Sequence, residues 1–226
     1  MKSARGKHTE RIVGVAVFSA LAVVVALICN VIPPVAGFLS FDVKDAVITT
    51  AALIWGPISA VAISFLAALI ELLTFSTTGW YGFLMNFVSS AIFSLTASLI
   101  YTRKRTVNVA LVAMFCAVIT TTGAMLLMNI FVTPLYLAYI GVPPEAASSQ
   151  VMGMLPTVLL PFNFAKTLFN SAAVMLIYKP VTTALKRTGM RERDSELKLT
   201  RSTVTVLIAG GLSLILSLII LFMLSS

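Results

Sequence analysis

The chain has 226 residues, of which 59% are hydrophobic and 11% charged, and its mean hydropathy is +1.02. This composition is typical of an integral membrane protein built of helices and excludes an ordinary soluble domain. The formal net charge is +8. We interpret the charge as a signal of membrane topology, and we expect the lipid bilayer and no nucleic acid among the partners.

Seven apolar segments follow one another along the chain, and each predicts a helix. They cover residues 12–32, 43–55, 58–75, 83–101, 107–132, 155–178 and 203–224. The second segment is short for a bilayer crossing, so we expect it to span only if it is tilted or if residues before Val43 enter the membrane. The predicted fold class is therefore all-α, a polytopic transmembrane helical bundle.

Basic residues predict the orientation. Fourteen of the sixteen Lys and Arg residues lie in the N-terminal tail, the loop after the fourth segment and the stretch after the sixth. These three regions share one side if every segment spans, and the positive-inside rule makes that side the cytoplasm. The N-terminus is then cytoplasmic in the cell membrane, and the C-terminus is outside if the seventh segment spans. The two exceptions are Lys44 and Lys166.

Lys166 lies near the middle of the sixth segment, where an ammonium group in hydrocarbon costs on the order of 3 kcal/mol or more. Helical spacing places Asn163, Lys166 and Asn170 on one face. Pro161 removes a backbone N–H and frees the carbonyl of Thr157. This face either lines a cavity that takes a ligand, or it is a buried polar contact between helices with Lys166 paired to Glu71.

Two further amides lie at the same predicted depth. Asn86 is one turn into the fourth helix, and Asn129 is near the outer end of the fifth. Each could join helices. Together with Asn163 and Lys166 they form a set of donors and acceptors that suits a neutral, planar heterocycle better than an ion.

The three outer loops are rich in turn-forming residues. The first ends in the charged run from Asp42 to Asp45, the second carries Trp80 and Tyr81, and the third, over residues 133–153, contains three prolines. These loops form either an aromatic belt at the headgroups or a lid over a pocket that opens outward.

Several functional classes lack their motifs. The chain has no phosphate-binding G-x-x-x-x-G-K-[ST] loop, its only histidine is His8 in the tail, and no Cys/His cluster offers a metal site. We therefore expect no enzyme, no metal and no cofactor. In the first helix, the pairs Ala16 with Ala20 and Ala22 with Ala26 would permit either internal packing or the close approach of another protein's helix.

Four motifs occur in order over residues 10–186 with the spacing of six helices. They are FDVKD at 41–45, STTG at 76–79 followed by NF at 86–87, NIFVTPLY at 129–136 and LPFNFAK at 160–166. With these motifs the chain resembles the substrate-binding S components of energy-coupling factor (ECF) vitamin transporters, specifically the riboflavin-binding ones.

The resemblance implies a six-helix core in residues 1–186 that captures riboflavin from outside as a transported ligand. Residues 187–202 would then be a basic cytoplasmic linker and residues 203–226 an additional C-terminal transmembrane helix. The implied partners are a transmembrane T component, which would dock on Ala16 and Ala20, and two cytoplasmic ATPases that drive toppling of the chain. The implied vitamin contacts are Asn129, Asn163 and Lys166, with a first loop that closes the pocket, and the wider candidate set adds Leu39, Phe41, Asp42, Val43, Thr78, Gly79, Asn86 and Asn170.

Two alternatives stay open. The chain is an S component for another vitamin, or it is a stand-alone ion-coupled carrier that uses Glu71 and Lys166. The seventh helix departs from the six-helix pattern, and it either affects docking and toppling or is a peripheral anchor. Glu71 is left without an assigned role.

Overall fold

The computed structural model describes residues 4–187 and 201–225, and most of them lie in helices. Among these residues the only strand-like pairing is a single bridge between Val35 and Leu39. This confirms the predicted all-α bundle. The predicted linker at 187–202 falls almost entirely outside the described residues. The helices are α1 (Ala4–Cys29), α2 (Lys44–Trp55), α3 (Pro57–Thr74), α4 (Gly79–Tyr101), α5 (Val107–Tyr139), α6 (Pro144–Met154), α7 (Leu160–Arg187) and α8 (Arg201–Ser225), and a π-helical turn (Leu155–Leu159) joins α6 to α7.

Five helical stretches are long and apolar enough to cross a membrane. They are His8–Cys29, Pro57–Thr74, Gly79–Tyr101, Asn108–Tyr139 and Pro144–Tyr178. α8 contributes a shorter apolar stretch, Ile208–Leu224. α2 has 12 residues, about 18 Å at 1.5 Å per residue, which is less than a hydrocarbon core of roughly 30 Å. The loop before it enters the bundle, because Leu39 and Asp42 are buried.

The prediction of an irregular third outer loop is wrong. α5 continues through Pro134 to Tyr139, and α6 begins at Pro144. A proline inside a helix removes one hydrogen bond, and here packing compensates because Leu137 in the following turn is buried in an apolar cluster. Pro144 occupies the first position of α6, where its missing N–H costs least.

α2 lies at the centre of the bundle, where it contacts α1, α3, α4 and α7. Small side chains allow this close approach: Ala51 and Ala52 are fully buried, and Thr49 hydrogen-bonds to Ser94 of α4 at 2.8 Å. The ends of α2 are therefore held by neighbours on several sides.

The two alanine pairs of α1 have different environments. Ala22 and Ala26 are buried, so they serve internal packing. Ala16 and Ala20 are exposed on a face that also presents Val17 and Leu21 to the surroundings. This second face is free to contact another protein.

Gly14 sets the distance between α1 and α2. A Cβ at this position would lie 2.5 Å from the ring of Trp55, so Gly14→Ala forces the two helices apart. We expect Gly14→Ala to lower the free energy of unfolding by about 1 to 3 kcal/mol, the usual cost of overpacking. Thermal unfolding of the purified chain in detergent measures the effect.

Gly123→Ala is the matched control, since a Cβ on this helical glycine meets no atom within 4 Å. It should leave the chain as stable as the wild type or slightly more so, because alanine favours a helix. Equal melting temperatures for the two variants would contradict the packing of Gly14 on Trp55.

Candidate ligand-binding site

A cavity lies between the first loop and helices α4, α5 and α7, at the end of the bundle opposite the basic residues Arg103, Lys104 and Arg105. Its walls combine amides, one lysine, aromatic rings and methionines. The lining residues are Phe38, Leu39, Ser40, Thr78, Tyr81, Gly82, Met85, Asn86, Ser89, Met125, Asn129, Val132, Thr133, Tyr136, Phe162, Asn163 and Lys166.

Six of the eleven predicted binding residues meet in this cavity, although they come from five separate parts of the chain. They are Leu39, Thr78, Asn86, Asn129, Asn163 and Lys166. Phe41 and Asp42 line a smaller neighbouring pocket, which shares Ser40, Thr78 and Asn86 with the main cavity.

The other three predicted residues have different positions. Val43 precedes the first turn of α2 and packs against the buried apolar core. Gly79 begins α4 with a φ of +57°, a conformation that favours glycine. Asn170 lies behind the cavity, where its side chain joins α7 to the first loop and α2.

Sequence reasoning missed most of the α4 and α5 walls. Gly82, Met85 and Ser89 lie one turn before, beside and one turn after Asn86 on α4. On α5, Met125 lies one turn before Asn129, and Thr133 and Tyr136 lie one and two turns after it. Except for Met85, which is adjacent to Asn86, these residues have a helical spacing from an asparagine that could have identified them.

The outer loops were predicted to form either an aromatic belt or a lid over a pocket. In the second loop, the neighbouring residues Trp80 and Tyr81 have different positions. Trp80 is 70% exposed on the outside of the bundle. Tyr81 lines the cavity, and its ring centroid lies 5.9 Å from that of Tyr136 and 5.8 Å from that of Tyr139. Phe38 of the first loop also packs against Tyr136. Aromatic rings therefore surround the mouth of the cavity.

Asn129 and Asn163 are held by their own helices. The side-chain nitrogen of Asn129 donates to the carbonyl of Met125 at 2.7 Å, and that of Asn163 donates to the carbonyl of Leu159 at 2.7 Å. Thr133 donates to the side-chain oxygen of Asn129. An amide has two N–H donors and an oxygen acceptor, so each side chain is oriented and keeps capacity for a ligand.

The π-helical turn sets the position of Asn163. It contains Thr157, whose carbonyl was predicted to be freed by Pro161, and its last residue is Leu159, whose carbonyl accepts a hydrogen bond from Asn163. Pro161 follows as the second residue of α7 and has no N–H to donate. The widened turn therefore precedes the two polar residues that reach the cavity from α7.

Lys166 pairs with Asp42, so the predicted alternative of a Lys166–Glu71 pair is wrong. The Lys166 ammonium lies 2.8 Å from the Asp42 carboxylate and also donates to the carbonyl of Ser40 at 3.2 Å. Glu71 instead pairs with Lys44 at 2.8 Å and accepts a hydrogen bond from Asn86 at 2.9 Å. A carboxylate of the first loop was the nearer partner because that loop folds into the bundle beside α7.

Lys44 joins the two ion pairs into one chain of alternating charges. Its ammonium lies 3.6 Å from Asp42 in addition to its contact with Glu71. Lys166, Asp42, Lys44 and Glu71 are each at most 8% exposed. Buried charges are tolerated when they are paired and hydrogen-bonded, and this chain satisfies that condition. We name it the charged network.

The charged network also secures the first loop. The side chain of Asn170 donates to the carbonyl of Asp42 at 3.0 Å and accepts from the backbone N–H of Ala46 at 2.9 Å. The Asp42 carboxylate lies 2.8 Å from the ammonium of Lys166 and 3.6 Å from that of Lys44. The loop is thereby tied to α7 and α2 by charge and by hydrogen bonds.

Two of the cavity's polar groups thus depend on carboxylates behind it. Asp42 orients Lys166, and Glu71 orients Asn86. Lys44 holds both carboxylates without lining the main cavity itself. The site is a preorganised set of donors on an apolar and aromatic background, which suits a planar, neutral, polar-edged molecule.

Comparison with known proteins identifies the class. The family model for the substrate-specific component of ECF transporters matches residues 10–178. A solved structure, that of the S component of a bacterial ECF transporter, superposes with a TM-score of 0.64 at 27% identity, covering 80% of this chain and 99% of that one. The chain belongs to the family of ECF transporter substrate-specific components, so it is a membrane transport component and not an enzyme.

Two similar proteins carry a more particular name. Riboflavin transporter RibU of Staphylococcus aureus (strain TCH60) is 28% identical over 182 residues, covering 80% of this chain and 95% of the relative. Riboflavin transporter RibU of Streptococcus thermophilus (strain ATCC BAA-250 / LMG 18311) is 26% identical over 184 residues, covering 79% and 85%. The family match ends at residue 178, before α8 begins.

The charged network makes a prediction about Lys44. Lys44→Met leaves Asp42 and Glu71 without their shared ammonium, and we expect a loss of about 3 to 5 kcal/mol in stability, the cost of breaking a buried pair. The double variant Lys44→Met with Glu71→Gln should recover part of that loss because one uncompensated carboxylate is removed. Thermal unfolding of both variants measures the difference.

Lys104→Met is the control, because Lys104 is exposed in the loop between α4 and α5. It should melt with the wild type. A Lys44→Met variant as stable as Lys104→Met, or a double variant no better than the single one, would contradict a stabilising network.

Proposed function

We propose that this chain is the riboflavin-binding subunit of an ECF transporter, which captures riboflavin outside the cell. The observation that carries the proposal is the meeting of Lys166 with the amides of Asn86, Asn129 and Asn163 in one cavity. The name of the two RibU relatives supports the choice of vitamin.

The chemistry of the cavity suits an isoalloxazine ring. The pyrimidine-like edge of that ring alternates carbonyl acceptors with an N–H donor, and the amides of Asn129 and Asn163 offer both functions. Lys166 is placed to donate to a carbonyl oxygen. Aromatic and thioether side chains, among them Tyr81, Tyr136 and Met125, supply apolar contact for the ring faces.

The first loop is proposed to close over the ligand. Leu39 and Ser40 line the cavity, and the next residue, Phe41, packs edge-on against Phe169 of α7 at 5.1 Å. Because Lys166 contacts both Ser40 and Asp42, a ligand carbonyl that approaches Lys166 meets the same ammonium that secures the loop. The Lys166 ammonium would therefore donate hydrogen bonds to both the first loop and the ligand.

Orientation and partners follow the same proposal. The cavity opens at the end of the bundle opposite Arg103, Lys104 and Arg105, so a cytoplasmic position for those residues puts the opening outside. The N-terminus is then cytoplasmic, and the C-terminus is outside. A transmembrane T component would dock on the exposed face with Ala16 and Ala20, and two ATPase subunits would drive toppling and release.

The stand-alone carrier required Glu71 and Lys166 to act together. Each has a different ion-pair partner, Lys44 for Glu71 and Asp42 for Lys166, and this arrangement offers them no shared proton site. An S component for another vitamin would differ from a riboflavin-binding one only in the ligand that it binds.

The test is a titration of the chain, purified alone in detergent, with riboflavin, thiamine and folate. We expect saturable, one-to-one quenching of flavin fluorescence in the submicromolar range and no competition by the other two vitamins. A folded preparation that binds thiamine or folate and not riboflavin would replace the proposed ligand, and one that binds none would overturn the proposal.

The cavity residues give a mutational prediction. Lys166→Ala and Asn163→Ala should each weaken riboflavin binding by about 1 to 3 kcal/mol, because a polar group of the bound ligand loses its partner. Asn108→Ala, an exposed amide at the start of α5, is the control and should bind as the wild type. Unchanged affinity in both cavity variants would remove these residues from the site.

The exposed alanines give a separate prediction for transport. Ala16→Leu with Ala20→Leu should leave detergent binding of riboflavin unchanged and strongly reduce ATP-driven uptake in vesicles that hold the full transporter, since close helix approach needs small residues. Val24→Leu, also exposed on α1, is the control. Normal uptake by the double variant would place the docking face elsewhere.

A further inference from the structure

The buried positions of α8 repeat with the spacing of a packed helix pair. Gly210 and Ser217 are buried seven residues apart, and Leu214, Leu221 and Leu224 complete a partly buried stripe with steps of four and three. Leu212, Ile215 and Ile219 lie on the opposite side and are more than half exposed. Such a stripe is typical of a helix that packs along one partner.

The partner of this stripe is α7, and the contact is close. A Cβ on Gly210 would lie 3.5 Å from the Cβ of Met175 and 3.6 Å from the carbonyl oxygen of Ala172. A Cβ on the neighbouring Gly211 would meet no atom within 4 Å. These are ordinary van der Waals distances, so the Gly210 side of α8 packs directly against α7 and the Gly211 side does not.

The far end of α8 reaches the ligand-binding end of the bundle. Leu221 and Leu224 pack against a cluster whose buried members include Leu39, Leu159 and Phe162. Leu39 and Phe162 line the cavity, and the carbonyl of Leu159 holds the side chain of Asn163. One apolar cluster therefore connects α8 to the wall of the site.

The π-helical turn departs from regular α-helical hydrogen bonding. The N–H of Leu160 bonds to the carbonyl of Leu155, five residues back, and such turns are rare. Pro156 lies within the turn, Pro161 lies two residues after it, and neither has an N–H to donate. The position of this segment consequently depends on side chains packed around it.

We infer that α8 is a positioning element of the binding site, a brace on α7 and the π-helical turn that slows release of the bound ligand. The inference rests on the proposed function for the identity of that ligand. α8 packs against α7 and α5, whereas α1 packs against α2 and α3. The brace thus leaves the Ala16 and Ala20 face uncovered.

The two adjacent glycines provide a matched pair of variants. Gly210→Leu places a side chain between α8 and α7, while Gly211→Leu adds the same side chain where there is room. We expect riboflavin to dissociate on the order of tenfold faster from Gly210→Leu, since changes within one binding site act mainly on the dissociation rate. Gly211→Leu should release it at the wild-type rate.

A second pair of variants tests the same contact in case Gly210→Leu does not fold. Leu221→Ala with Leu224→Ala trims the contact at the π-helical turn, and Ile219→Ala with Met223→Ala trims the exposed side of the same helix end. The Leu221/Leu224 double variant should release riboflavin faster than the wild type, and the Ile219/Met223 double variant should release it at the wild-type rate.

A disulfide tests the packing directly. With Cys29 and Cys116 replaced by alanine, Gly210→Cys and Met175→Cys place two Cβ atoms 3.5 Å apart, within disulfide range. We expect the oxidised chain to form the bond and to keep slow dissociation.

The results separate the inference from the proposed function. If the wild type binds riboflavin while Gly210→Leu and the Leu221/Leu224 variant release it at the wild-type rate, the brace is overturned and the function stands. Failure of the disulfide to form also overturns the brace. If the wild type does not bind riboflavin, the proposed function fails and this inference fails with it.

Discussion

The buried ion pairs of Lys166 with Asp42 and of Lys44 with Glu71 are the interaction on which the site depends. A lone charge inside a membrane bundle is costly, so each of these groups requires its partner at a fixed place. The requirement draws the first loop into the bundle and holds α2 and α3 in register. It also orients Lys166 and, through Glu71, Asn86. The cavity is preorganised because the carboxylates of Asp42 and Glu71 hold its donors Lys166 and Asn86 in place.

A second constraint acts on α7. Its polar face begins just after a π-helical turn that contains Pro156, and the carbonyl of Leu159 at the end of that turn fixes the amide of Asn163. Apolar packing from the first loop and from α8 surrounds this turn. Binding chemistry and helix irregularity therefore coincide, since a backbone that leaves regular geometry within a membrane has to lie against protein or a cavity.

The sequence predicted the helices and six of the cavity residues because both leave local signals. Apolar length marks a membrane helix, and an amide or lysine inside such a segment marks a polar face. It failed over residues 133–153, where three prolines indicated a loop and the structure has helix on both sides of a short turn. It also missed Tyr81 and Met85, because an aromatic or apolar side chain has no local feature that separates a cavity wall from core packing.

By itself, the sequence determined the membrane class, the order of the helices and the residues able to bind a polar heterocycle. Only the tertiary structure decided which charges pair, since the sequence offered Glu71 as the partner of Lys166 and the folded first loop brought Asp42 to it. The structure also decided that Ala22 faces inward and Ala16 outward, and that α8 packs along α7. Hydropathy and helical periodicity depend on residues that are close together in the sequence. Ion pairing and helix packing join residues that are distant in the chain, 124 positions apart for Lys166 and Asp42, and their partners are set by the fold.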